Sequence, residues 1–201
     1  MKIPLFPLEV VLFPGAPLPL HIFEERYREM VRDCITRETV FGVVCASPEG
    51  LAVVGCTARI ARILHDYPDG RRDILTEGSD RFEIVHLDDS RAYLQADVKL
   101  FADSGREASR ELREECIALH FEVLELAGAE VQHIGLDLNE PVSFQVAWSL
   151  PAGLDFKQEL LTMRSDYDRT QRLLEFYKTV LPKLRGGVQA RQSAERNGHV
   201  M

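Results

Sequence analysis

Ile3-Pro4-Leu5-Phe6-Pro7-Leu8-Glu9-Val10-Val11-Leu12-Phe13-Pro14-Gly15-Ala16-Pro17-Leu18-Pro19-Leu20-His21-Ile22-Phe23 decides how this chain starts to fold. The stretch is apolar, yet five prolines interrupt it. Proline cannot donate to a β ladder, so it belongs at strand starts, edges and turns. The segment therefore reads as short extended pieces, with Pro14-Gly15 as a turn between them. Apolar pieces of this kind need something packed over them, so a folded domain begins here.

A helix follows directly. Tyr27, Met30, Val31, Cys34 and Ile35 make one apolar stripe over 24–35, with Arg28, Glu29, Arg32 and Asp33 on the other face. Beyond it the pattern is β: an apolar run over 40–46, a Ser47-Pro48-Glu49-Gly50 turn, and a β-rich arm over 51–64. Tyr67-Pro68-Asp69-Gly70 is a hairpin turn, with a return arm over 72–87. Glu77-Gly78 within that arm marks a bulge or bend. Residues 93–101 alternate, with Leu94, Ala96, Val98 and Leu100 on one face. Short strands joined by tight turns predict a closed or half-closed barrel over residues 1–103.

The second half reads as helical. Ser104 to Glu107 has the spacing of a capping box, ahead of Leu112, Cys116, Leu119, Val123 and Leu126. A loop runs from Gly128 to Asn139. Further helices are expected near 141–150, from a cap at Asp155 and Gln158 to Met163, and from a cap at Ser165 and Asp168 to Leu184. These predict a helical bundle over 104–184. After Gly186-Gly187 the pattern dissolves, and 185–201 is expected to be a disordered tail.

Of 201 residues, 45% are hydrophobic and 28% charged, ordinary for a globular protein. The net charge of −8 is spread over both halves and opposes general binding to a phosphate backbone. One lysine followed by prolines is not a secretory signal, and no apolar run is long enough to span a bilayer. A cytoplasmic protein is expected. The four cysteines form no Cys-x-x-Cys pair and read as buried thiols. The six histidines lack metal-ligand spacing, so no metal or other cofactor is expected.

Several motifs together resemble the N-terminal substrate-binding domain of the Lon protease family. They are Pro4-Leu5-Phe6-Pro7-Leu8, Val11-Leu12-Phe13-Pro14-Gly15, Pro19-Leu20-His21-Ile22-Phe23-Glu24, Gly55-Cys56-Thr57-Ala58-Arg59-Ile60 and Glu77-Gly78-Ser79-Asp80-Arg81-Phe82. Phe144-Gln145-Val146-Ala147, Lys157-Gln158-Glu159-Leu160-Leu161 and Arg172-Leu173-Leu174 continue the likeness to about residue 184. The resemblance implies an α+β fold: a PUA-like β-barrel with one helix, then a helical bundle. It also implies recognition of unfolded or extended protein segments, service to a protease, and a homodimer. The sequence has no Gly-x4-Gly-Lys-Ser/Thr loop and no Pro-x-Asp-Gly-Pro-Ser stretch, so ATPase and Ser-Lys protease chemistry do not carry over. The expectation is a stand-alone, non-catalytic protein-binding module, with an RNA-binding PUA-type module as the alternative.

Phe13, Tyr93 and Phe101 are the candidate peptide-binding residues. Pro14, Gly15, Gly78 and Arg81 read as structural, Arg81 through a carboxylate or a backbone carbonyl. His21 reads as a hydrogen-bonded core or edge residue. His65-Asp66 lacks the nearby nucleophile that acid–base chemistry would need. Arg59 and Arg62, three apart on a strand, point to opposite faces and build no basic patch. Arg71-Arg72 is a solvated hairpin tip.

Overall fold

The structure, a computed structural model, describes residues 1–129, 136–137 and 141–197, with side chains to residue 187. The elements are β1 (Lys2–Leu8), β2 (Pro17–Ile22), α1 (Glu25–Arg37), β3 (Phe41–Ser47), β4 (Gly50–Leu51), β5 (Val54–Asp66), β6 (Arg72–Asp88), β7 (Gln95–Phe101), α2 (Arg110–Leu126), α3 (Val142–Ala147), α4 (Leu154–Thr162) and α5 (Asp166–Asn197). They fall into two compact units. One is Met1–Asp103 with Ala152–Thr162, and the other is Ser104–Pro151 with Met163–Met201. The contacts thus group α4 with the strands, apart from the other late helices.

In the first unit the strands pair in the order β1-β7-β6-β5-β3-β4, with β2 attached to β6 and an additional β1–β3 pair. The β1–β3 pair is parallel, and the remaining pairs are antiparallel. This corrects the expected PUA-like β-barrel. In a simple barrel each strand has two neighbours, whereas β6 carries β5, β7 and β2, and β3 carries β1, β5 and β4. The fold is α+β on a branched, mixed seven-stranded sheet. Its branch comes from the length of β6. Residues Arg81–Asp88 pair with β7, and the earlier stretch Arg72–Glu77 runs past it and pairs with β2.

Ile3, Leu5, Val44, Phe82, Ala96 and Val98 form a buried cluster on the inner part of this sheet. Helix α1 buries Tyr27, Met30, Val31 and Cys34, four of the five expected stripe residues. It closes on Glu38 in the left-handed region (φ 52°), where the Glu38 and Thr39 amides donate to Ile35 O and Cys34 O. Helix α4 is tied to β5 by Gln158 Nε2, which donates to Val54 O at 3.0 Å.

In the second unit, α2 starts from Ser109, whose hydroxyl accepts the Leu112 amide at 3.3 Å. The cap therefore lies five residues beyond the Ser104 expected from the sequence. Ser165 caps α5 as read, accepting from the Asp168 amide at 3.2 Å. A buried polar network joins the helices. Ser143 Oγ donates to Asp166 Oδ1 at 2.7 Å, and Arg169 Nε donates to Ser143 Oγ at 2.9 Å. The Arg169 guanidinium also lies 3.7 Å from the Phe144 ring centroid. Helix α5 contains Pro182 and continues through Gly186 and Gly187 to Asn197. Glycine raises the cost of a helix without forbidding it. Residues 198–201 of the expected tail, and most of the expected 128–139 loop, lie outside the described residues.

Candidate functional site

The first of the expected peptide-binding residues, Phe13, is 0% exposed. Its segment is a packed turn. Gly15 (φ 74°) donates its amide to Gly78 O at 2.9 Å, and the Gly78 amide donates to Ala16 O at 2.9 Å. A Cβ on Gly78 would sit 2.0 Å from Phe13 O, so only glycine fits this approach. Tyr93 is 2% exposed, and its hydroxyl donates to Asp33 Oδ2 at 2.9 Å. It precedes β7, outside the strand on which the 93–101 alternation placed it. Phe101 is half-buried beneath the Arg81 guanidinium, 4.6 Å from its ring centroid. Arg81, 3% exposed, donates to Asp103 Oδ1 at 2.5 Å and to Leu161 O at 3.0 Å. A carboxylate and a backbone carbonyl thus hold it.

Accessible apolar side chains lie elsewhere in this unit: Val85 and Val53 are 69% and 64% exposed, and a further group lies on or beside a ribbon. The Arg72–Glu77 stretch of β6, flanked by β2 and the far half of β5, makes a three-stranded ribbon. Phe23 just beyond β2 is 59% exposed, and Ile63 and Leu64 on β5 are 43% and 49% exposed. Two hollows flank the ribbon. One, about 430 Å3, lies between Arg59–Ile63 of β5 and the end of α1 with its following turn, Cys34 to Val40. The other, about 470 Å3, is lined by Pro19, Leu20, His21, Leu64, His65 and Tyr67, with Asp73 and Ile74.

Register shifts shape this ribbon. In β5, Arg59 lies opposite Glu77, Ile60 opposite Thr76 and Arg62 opposite Leu75, leaving Ala61 as an extra residue. Glu77 and Leu75 are two apart on β6, so they share a face. The bulge therefore brings Arg59 and Arg62 to one face, correcting the expectation that they oppose each other. Arg59 pairs with Glu77 at 2.7 Å, whereas Arg62 and Arg37 make no ion pair among the described residues. A second extra residue, Leu64, sets His65 opposite Asp73, which also faces His21. His21 Nδ1 lies 2.5 Å from Asp73 Oδ1, and the Tyr67 hydroxyl donates to Asp73 Oδ2 at 2.8 Å. The His21 hydrogen bond, then that of Tyr67, holds the Asp73 carboxyl below the usual carboxylate range.

This His-Asp-His row meets no nucleophile. No serine, cysteine, threonine or lysine lines its hollow. All four cysteines are buried, and burial pushes the Cys56 and Cys116 thiols up to about 12. Among the described residues no group of three or more His, Cys, Asp or Glu side chains is placed to hold a metal ion. None of the described helices is long and apolar enough to cross a membrane. The arrangement is suited to binding by apolar contact, backbone pairing and charge.

The sequence profile of the ATP-dependent protease La (LON) substrate-binding domain matches residues 2–179. The chain belongs to this family. Among curated relatives, the Lon protease of Parabacteroides distasonis is 27% identical over 86% of this chain and 23% of its own length. That of Porphyromonas gingivalis is 24% identical over 82% of this chain and 22% of its own. The chain thus spans about a quarter of these proteases. A crystal structure of a Lon N-terminal domain protein from Xanthomonas campestris aligns with a TM-score of 0.69 at 27% identity, covering 87% of this chain and 98% of that one. The N-terminal domain of Mycobacterium avium complex Lon protease shares the fold, with a TM-score of 0.66 at 16% identity, covering 89% and 98%. The chain corresponds to the non-catalytic substrate-binding module of Lon and not to its protease core.

The sequence shows the two arms of this hairpin but not the bulges between them or the pairing with β2. Ile60, Ile63 and Leu64 recur at i, i+3 and i+4, the spacing of a helix face and not the period of two of a regular strand. That broken alternation, in a run otherwise typical of a strand, is the trace the bulges leave.

Proposed function

We propose that this Lon-family module binds unfolded or extended segments of other proteins and performs no chemistry on them. The observation that carries this reading is the exposed apolar residues of the ribbon, Ile63 at one open hollow and Leu64 at the other, with Phe23 exposed just beyond β2. Folded clients keep such side chains buried, so an exposed rim selects for chains that have lost their structure. Apolar burial contributes roughly 25 cal/mol per Å2 before ordering costs, which gives a modest site weak and broad affinity. A client protease and a cytoplasmic setting belong to the same proposal. RNA binding was suggested by a PUA-type barrel. With that barrel replaced by a branched sheet, only the opposing net charge of −8 bears on it.

The test is retention of a model protein on immobilised chain. Reduced, carboxymethylated α-lactalbumin should be retained at several times the level of the native form, uncleaved with or without ATP. Equal retention of the two forms would refute the proposal.

A further inference from the structure

The far half of β5 has a partner on one side only. Strand β3 pairs with β5 at Cys56–Ala58 and goes no further. From Arg59 to Asp66, β5 pairs with β6, and no other backbone hydrogen bond reaches this stretch among the described residues. The 430 Å3 hollow runs along the same five residues, Arg59–Ile63, that begin this open edge. An unpaired edge beside an open groove is the geometry of strand addition, in which main-chain hydrogen bonds supply affinity and alternate side chains supply selectivity.

We propose that this edge takes up a short extended segment of a client polypeptide as an added strand, and that it favours segments carrying acidic residues among apolar ones. This rests on the polypeptide-binding reading above and gives it a location and a chemistry. Charge complementarity names the occupant. The protein as a whole carries a net charge of −8, yet the groove collects Arg59 and Arg62, placed on one face by the Ala61 bulge, against Glu38; Arg59 is paired with Glu77, and Arg62 makes no ion pair among the described residues. Exposed Arg37, which also makes no ion pair, ends the helix that forms the other wall. Ile60 and Ile63 supply apolar contacts on the same edge. The bulges at Ala61 and Leu64 break the regular hydrogen-bonding repeat. They limit the added strand to a few residues and oppose open-ended stacking of one chain on another.

The test uses three fluorescein-labelled decapeptides and the full chain, read by fluorescence anisotropy. The first alternates valine and aspartate. The second replaces aspartate with lysine. The third repeats the first with every other backbone nitrogen methylated. The acidic peptide should bind at least tenfold more tightly than the lysine peptide or the methylated peptide. Arg62→Glu should weaken the acidic peptide tenfold while leaving the far-ultraviolet circular dichroism unchanged. Equal binding of the methylated peptide would overturn strand addition, and indifference to Arg62→Glu would overturn this location. If denatured lactalbumin is retained and the peptides are not discriminated, the general reading survives and this one falls. If neither binds, both fall. A chain that is dimeric by light scattering, and becomes monomeric on Arg62→Glu without binding the acidic peptide, would place a second copy on the edge and overturn the client proposal.

Discussion

The inner sheet and the outer ribbon share one strand, β6, and are built on opposite plans. Around Phe82 the sheet is closed to everything. A Cβ on Gly42 would lie 2.6 Å from the Phe82 ring, and one on Gly55 would lie 2.5 Å away. Both strands are emptied of side chains so that one ring can fill the space. At the other end of β6, around Ile74, β5 bulges while β2 runs in regular register, and Ile63 and Leu64 of β5 are left about half in water. One end spends its sequence on packing and the other leaves its sequence unspent. An open surface persists on a small domain when a rigid region nearby carries the stability.

The largest test of this contrast is Phe82→Ala. Removing a fully buried ring against two glycines that cannot expand leaves a cavity, with an expected loss of about 3–5 kcal/mol in urea-induced unfolding. A loss under about 1 kcal/mol would mean the inner sheet is not where the stability lies.

Histidines draw the same contrast between dry and wet. His21 is exposed and partnered by a carboxylate. His120 in the second unit is fully buried, 3.0 Å from Tyr177 Oη and 3.0 Å from Ser149 Oγ. Burial pushes its pKa from 6.5 down to about 4. The unfolded chain therefore takes up this proton first. The contribution is whole above about 6.5 and is lost as the pH falls toward about 4, on the order of 3 kcal/mol in all. His120→Gln should flatten the fall in stability across that window relative to the parent chain. An unchanged slope would show that the site takes up its proton without cost.

The packed region was the more legible of the two. The α1 stripe and the alternation over Ala96 and Val98 follow from local periodicity and appear in place, while of the ribbon the sequence shows its Tyr67–Gly70 turn. What stayed hidden is what other segments decide. Phe13 can be read as part of a binding rim or of a turn that fixes the first strands until Gly78 is brought against it. Tyr93 buries its ring because Asp33, 60 residues away, accepts its hydroxyl. The barrel expectation failed because sequence reveals strands more readily than partners, and nothing local says that β6 will serve β2 as well as β7. The Arg59 and Arg62 expectation failed because a bulge is a property of a pair of strands, invisible along either one.

The smallest expected effect on stability is the one that bears hardest on the contrast. Ile63→Ser and Leu64→Ser each remove an apolar side chain that is already about half in water. Burial energy scales with area withdrawn from solvent, so each should change unfolding stability by within about 0.5 kcal/mol. Retention of denatured lactalbumin should nevertheless fall severalfold in the double variant, because its rim is gone. A double variant that unfolds easily would show that the ribbon is part of the core's support. One that keeps both its stability and its binding would move client capture away from this ribbon. Only a stable protein with weakened capture fits a domain whose two ends divide the work between them.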